Sequence, residues 1–216
     1  MVTHVSESRL AAAAALRSLN HAFVAHDADD ALLDRIAQFA DATVPELQRG
    51  GRRDRATLLA AHVGRMFGID PAIEGTEPGP GHDVMADRAV AGAANPTAAE
   101  LSVEYSENEV VVGVTLGAAF EGAPGRAHGG MIAAVFDDVT GFVLRLASTA
   151  AYTGQLSVRY HAPVPIETPL VFRSRLEGRE GRKLRITADC RAGDELLATA
   201  DTIYIAVDPS AFGAPA

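Results

Sequence analysis

The spacing of apolar residues changes once along the chain, from helical to alternating. Leu10, Leu16, Leu19 and Phe23 fall at helical intervals, as do Leu32, Leu33, Ile36 and Phe39. The stretch from about Ser6 to Phe67 therefore reads as helical. Asp27 to Asp30 interrupts the first pattern and offers N-caps for the second. Gly50-Gly51 ends the second helix, and Asp54 is placed to cap a third along Leu58, Leu59, His62, Val63 and Met66. From Pro71 to Pro96 the character changes: Pro-Gly-Pro-Gly at 78–81 and Asn95-Pro96 mark irregular structure.

From about Ala99 the period is two. Val110, Val112, Val114 and Leu116 form one such face, Leu156, Val158 and Tyr160 another. Phe172, Ser174 and Leu176 follow, then Leu184, Ile186, Ala188 and Cys190, and a last strand runs from about Glu195 to Val207. One polar face and one apolar face predict half-buried antiparallel strands. The exception is Met131 to Ala147, with Ile132, Val135, Phe136, Val139, Val143 and Leu146 nearly all round, which reads as a buried helix. One long helix wrapped by one curved antiparallel sheet fits this order, an α+β fold with an N-terminal helical extension. The expected division is a helical extension over 1–70, a Gly/Pro-rich linker over 71–98, the sheet-and-helix domain over 99–208 and a tail over 209–216. The N-terminal helices carry enough apolar surface that they are expected to pack over the core as a cover, or to serve as a partner surface.

Composition narrows the function. The 216 residues carry 19 Lys and Arg against 28 Asp and Glu, a formal charge of −9. That argues against a nucleic-acid-binding domain, which must neutralise phosphates. The single cysteine, Cys190, excludes an internal disulfide framework, and on the apolar face of its strand it reads as a small buried hydrophobe. No apolar run reaches the ~18–20 residues of a membrane span. Leu10–Leu16 lacks a preceding basic region and a following small-residue cleavage site, so a cytoplasmic location is expected.

The candidate chemistry centres on Gly125-Arg126-Ala127-His128-Gly129-Gly130, leading into the buried helix. Two glycines at a helix start leave backbone N–H groups unobstructed, and the helix dipole adds partial positive charge. Such a place polarises a carbonyl or binds an oxyanion; a plain tight turn feeding a helix is the competing reading. Asp137 and Asp138 then lie inside an apolar helix, where a carboxylate needs a partner or a task. A wet helix edge or an arginine partner explains one of them; a general base or nucleophile is the chemical reading of Asp137, seven residues after Gly130. Between Arg173 and Arg191 lie Arg173, Arg175, Arg179, Arg182, Lys183, Arg185 and Arg191, opposed by Glu177, Glu180 and Asp189. A phosphorylated ligand or an ordinary solvated sheet face accounts for that cluster. No Gly-x-Ser-x-Gly elbow, phosphate loop, dinucleotide fingerprint or His-x-x-x-His metal motif occurs.

The set His128-Gly129-Gly130, Asp137, Thr153 and Arg159-Tyr160-His161-Ala162-Pro163-Val164-Pro165 resembles the hotdog-fold acyl-CoA thioesterases, in the branch with an HGG motif and a helical aspartate. The resemblance covers about Asn95 to Val207. It implies a hotdog fold and hydrolysis of an acyl-CoA thioester to a carboxylic acid and coenzyme A. By it Gly129 supplies the backbone donor to the thioester carbonyl, His128 shapes that site, Asp137 is the catalytic carboxylate, and Thr153 assists the water or the carboxylate. Arg159, His161, Arg182 and Lys183 fall where family members contact coenzyme A. No separate cofactor is implied, since coenzyme A belongs to the substrate. The family also implies a homodimer or dimer of dimers, with Gly129 of one protomer facing Asp137 of the other. Two alternatives stand beside this: a non-catalytic acyl-CoA-binding or scaffold protein, and an enoyl-CoA hydratase, whose Asp and His usually lie about five residues apart rather than the nine found here.

Overall fold

The structure is a computed structural model and describes residues 5–54 and 86–208. The third expected helix, beyond Asp54, lies outside the described residues, as does the part of the Gly/Pro-rich run before residue 86. Two helices open the chain: α1 (Glu7–Ala25), capped by Ser6, and α2 (Asp30–Arg49), whose Asp29 carboxylate accepts the Leu32 N–H at 2.8 Å. Gly50 closes α2, as the sequence suggested.

β1 (Leu101–Tyr105) and β2 (Val110–Thr115) follow, then a single 3-10 turn at Ala118–Phe120 and a small hairpin of β3 (Glu121–Ala123) and β4 (Arg126–Ala127). Next come the long helix α3 (Gly129–Leu146) and four long strands: β5 (Ala151–Tyr160), β6 (Pro169–Glu180), β7 (Lys183–Ala192) and β8 (Glu195–Ala206). Six strands form one antiparallel sheet in the order β1-β2-β6-β7-β8-β5. The alternation explains the core directly. Val110, Val112, Phe172, Leu184, Ile186 and Cys190 are fully buried on the face turned to α3, where Phe136 meets Phe172 edge to face at 5.0 Å. Burial pushes the Cys190 thiol up to about 12, so it is an inert core group.

Three sequence expectations need correction. First, α3 is not buried all round: Ile132, Val135, Phe136, Val139, Thr140 and Val143 make one buried stripe, while Met131, Ala134, Phe142 and Leu144 are half-buried and Leu146 is exposed. The sheet of this chain covers only one side of the helix. Second, α1 docks on the line Leu10, Ala13, Arg17 and His21, while Leu16, Leu19 and Phe23 face outward. The surface beneath offers backbone carbonyls, and the Arg17 guanidinium satisfies those of Ala93 and Asn95, both at 2.9 Å. Third, no residue of α2 is fully buried: Leu33, Ile36 and Thr43 are half-buried and the rest of the helix is exposed.

β5 lies at the edge of the sheet and carries a bulge between Thr153 and Gln155. The extra residue is Gly154, where a Cβ would come within 2.9 Å of Ile205 Cγ1 and 3.3 Å of the Ile203 carbonyl. Unbroken alternation would set Thr153 on the face of Gln155 and Ser157. The bulge shifts it to the face of Leu156, opposite Tyr204, and so toward α3.

Candidate active site

His128 is the N-cap of α3. Its ring Nδ1 accepts the Gly130 N–H at 3.1 Å, and its carbonyl accepts from Met131 and Ile132. The Gly129 N–H belongs to the first helical turn, where no helical acceptor exists and the dipole is positive. Space is tight around the cap: a Cβ at Gly130 would press on the His128 ring at 3.1 Å, and one at Gly122 would come within 2.8 Å of His128 Cα. The Tyr160 hydroxyl donates to the Gly129 carbonyl at 2.5 Å and so ties β5 to the helix start. Burial raises the tendency of this phenol to stay protonated and keep donating. Around this point lies a shallow cleft of about 480 Å³, lined by Gly122, Arg126, His128, Gly129, Tyr160 and His161.

Two turns further along α3, the half-buried Asp137 accepts from the Thr153 hydroxyl at 2.9 Å through Oδ1. The bulged strand thus brings together the Thr153 and Asp137 singled out from the sequence. Behind them stands Tyr204, 3% exposed, whose hydroxyl donates to the Asp137 carbonyl at 3.0 Å and lies 3.0 Å from Thr140 Oγ1. Burial pushes its phenol up to about 12. Sequence reasoning placed Tyr160 on a strand face and in the Arg159–Pro165 motif but gave neither it nor Tyr204 a role at the site. The one available signal was a tyrosine on the inward phase of a strand, where a buried hydroxyl must find a partner.

Gly129 and Asp137 do not meet within the chain. Eight residues of helix separate them by ~12 Å, whereas donor and base must both lie ~3 Å from the reacting atoms. The four residues expected to contact coenzyme A are likewise divided. His161, whose ring Nε2 lies 3.0 Å from Thr199 Oγ1, sits in the Gly129 cleft. Arg159 lies beside it on the outer face of the sheet. Arg182 and Lys183 lie at the opposite end of the sheet, where Arg182 donates to the Ala206 carbonyl at 3.0 Å. The His161 N–H pairs with the Leu197 carbonyl and Lys183 is opposite Ile205, so ~26 Å of strand separates the two pairs. The arginine cluster on the outer face is largely neutralised: Arg173 pairs with Glu109, Arg175 with Glu177, Arg185 with Asp201 and Arg191 with Asp189. Among the described residues no three His, Cys, Asp or Glu side chains converge as a metal site requires, and no helix is long and apolar enough to cross a membrane.

Residues 124–199 match the family model described as the thioesterase superfamily. The chain is 35% identical over 91 residues to the acyl-coenzyme A thioesterase THEM4 of Mus musculus, an alignment covering 41% of this chain and 39% of that protein. It is 30% identical over 79 residues to the acyl-coenzyme A thioesterase THEM5 of Homo sapiens, covering 37% and 32%. These alignments therefore span well under half the length of the curated relatives. The crystal structure of a thioesterase superfamily protein superposes with a TM-score of 0.71 at 24% identity, covering 94% of this chain and 97% of that one, which extends the likeness in fold to nearly the whole molecule. The family model and the curated relatives thus liken a part of this chain to the thioesterase superfamily, and the solved structure shows that the fold is shared over nearly the whole of it.

Proposed function

We infer that the protein hydrolyses an acyl-CoA thioester to a carboxylic acid and coenzyme A, with Asp137 as the base or nucleophile and the Gly129 N–H as the donor to the developing oxyanion. The observation that carries this reading is the Thr153–Asp137 hydrogen bond: a carboxylate on an otherwise apolar helix, held in one orientation by a strand hydroxyl and left half-open. A base of this kind removes a proton from water, or the carboxylate attacks the thioester carbon itself. In either case the carbonyl oxygen gains charge, which the first-turn amide of α3 stabilises, and the C–S bond breaks to release coenzyme A, its thiolate taking up a proton from water or from the base. In the second route water then cleaves the acyl–Asp137 anhydride to free the carboxylic acid.

The ~12 Å between donor and carboxylate supports a site built from two copies. β5 is ten residues long and lies at a sheet edge, with its backbone available for pairing. Antiparallel pairing of β5 with a second copy, about a two-fold near Leu156 and Ser157, sets Thr153 of one copy beside Tyr160 of the other. Gly129 and His161 then face Asp137, Arg182 and Lys183 of the second copy, so both divided sets are completed together. The half-open side of α3 gains its cover in the same step. A reducing compartment such as the cytoplasm suits a chain whose one cysteine is a buried free thiol.

The test is thiol release from a panel of acyl-CoAs, read with a thiol reagent. Asp137→Asn keeps the outline of the side chain, and turnover should fall ~10²–10⁴-fold with acyl-CoA binding retained. Asp138→Asn should cost much less, because neighbouring helix positions point about 100° apart. An active Asp137→Asn protein, or equal losses at the two positions, would refute the assignment.

A further inference from the structure

We propose that His21, in the N-terminal helix α1 and outside the sheet-and-helix core, is a positioning residue for the carbonyl-binding turn at His128-Gly129. The inference rests on the thioester-hydrolysis reading of that turn. His21 Nδ1 accepts the Ala119 N–H at 3.1 Å. Its ring packs edge to face on Phe120 with centroids 5.1 Å apart. The ring also lies flush on Gly117, where a Cβ would come within 2.6 Å of Nδ1. These three contacts hold the 3-10 turn Ala118–Phe120, and the Phe120 carbonyl in turn accepts the His128 N–H at 2.8 Å. One residue further on is the Gly129 donor.

The link is direct: α1, then the turn, then the N-cap of α3. It is anchored at the far side as well. Arg17 lies one turn before His21 on the same face of α1, is 8% exposed, and is bonded to the Ala93 and Asn95 carbonyls. α1 is therefore fixed to the body one turn before the contact, and a shift of the Phe120 carbonyl moves the His128 peptide with it. A displacement of ~1 Å at a reacting centre can cost ~10² in rate. A donor that acts on the transition state loses that in kcat rather than in KM.

The experiment uses the full chain with His21→Ala and His21→Asn. The Asn carboxamide oxygen falls near the place of Nδ1 and accepts from Ala119, while Ala removes both the acceptor and the ring. Steady-state thiol release from hexanoyl-CoA is measured beside amide hydrogen exchange of peptides covering 117–131 and, as control, 184–206. We expect His21→Ala to lower kcat by ~10-fold or more with KM little changed, and to speed exchange over 117–131 but not over 184–206. His21→Asn should restore most of both. Unchanged exchange over 117–131, unchanged kcat, a uniform rise in exchange throughout the protein, or failure of Asn to rescue would each overturn the proposal. A wild-type chain that releases no thiol from any acyl-CoA would refute the thioesterase reading instead; exchange alone would then decide whether His21 positions the turn.

Discussion

Asp137 and Asp138 are neighbours in sequence with different surroundings, and the difference comes from a strand more than ten residues away. Thr153 reaches Asp137 because β5 is bulged, and Tyr204 holds the same turn of helix from behind. The His-Gly-Gly motif and the aspartate were legible in the sequence, because a helix start and a fixed spacing along one helix are local properties. The roles of Tyr160, Tyr204 and His21 were not. Their bonds join residues 31, 67 and 98 positions apart, and a spacing rule carries no information at that range. The buried phenol and thiol also make an alkaline prediction. Tyr204 is raised from 10.0 to about 12 and Cys190 from 9.0 to about 12. The unfolded chain therefore releases these protons first, so stability is intact below about 9 and declines as pH rises from there toward about 12. Thermal melts from pH 8 to 11 should show Tm falling through that window, and Cys190→Ala should flatten the early part of the decline.

At the scale of elements, the strands were the most legible part, since an alternating face specifies both burial and register. The helices were read less well, for a physical reason in each case. α3 is apolar on a side that its own sheet does not reach. α1 binds a surface of two backbone carbonyls and a backbone N–H, so Arg17, which donates, and His21, which accepts, dock beside Leu10 while Leu16 and Leu19 face outward. α2 carries Leu32, Phe39, Val44 and Leu47 on exposed positions, Leu47 at 71%. Leu47→Ser should therefore change unfolding free energy by no more than ~0.5 kcal/mol, as for an ordinary surface site. A chemical-denaturation titration that shows a loss several times larger would mean that α2 is covered in solution.

At the scale of the whole molecule, a composite site makes a prediction that no single-chain site can. Gly129 is the first residue of α3, and His128 before it has φ −62° and ψ 129°, a conformation compatible with a following proline. Gly129→Pro therefore removes the N–H donor and leaves the helix start in place, and should lower turnover ~10²–10³-fold. Two inactive proteins, Gly129→Pro and Asp137→Asn, unfolded together and refolded as a mixture, should regain about a quarter of wild-type activity. Half of the dimers are then mixed, and each mixed dimer has one site free of both substitutions. No recovery, with mixed dimers shown by mass spectrometry, would place donor and carboxylate in the same chain.

The bulge at Gly154 has a consequence that reaches past the strand that carries it. Side chains on a strand obey parity, odd positions up and even positions down, and Gly154 is the one residue of β5 that changes the parity partway along. Thr153 and Tyr160 are seven apart, an odd number, yet both turn to α3. Deleting Gly154 would leave a more regular ladder, paired throughout with β8. Thr153 would then stay opposite Tyr204 and keep its inward face; what parity forbids is the opposite change, a ladder in which Gly154 took a regular place, because that would turn Thr153 to the outer face, away from Asp137.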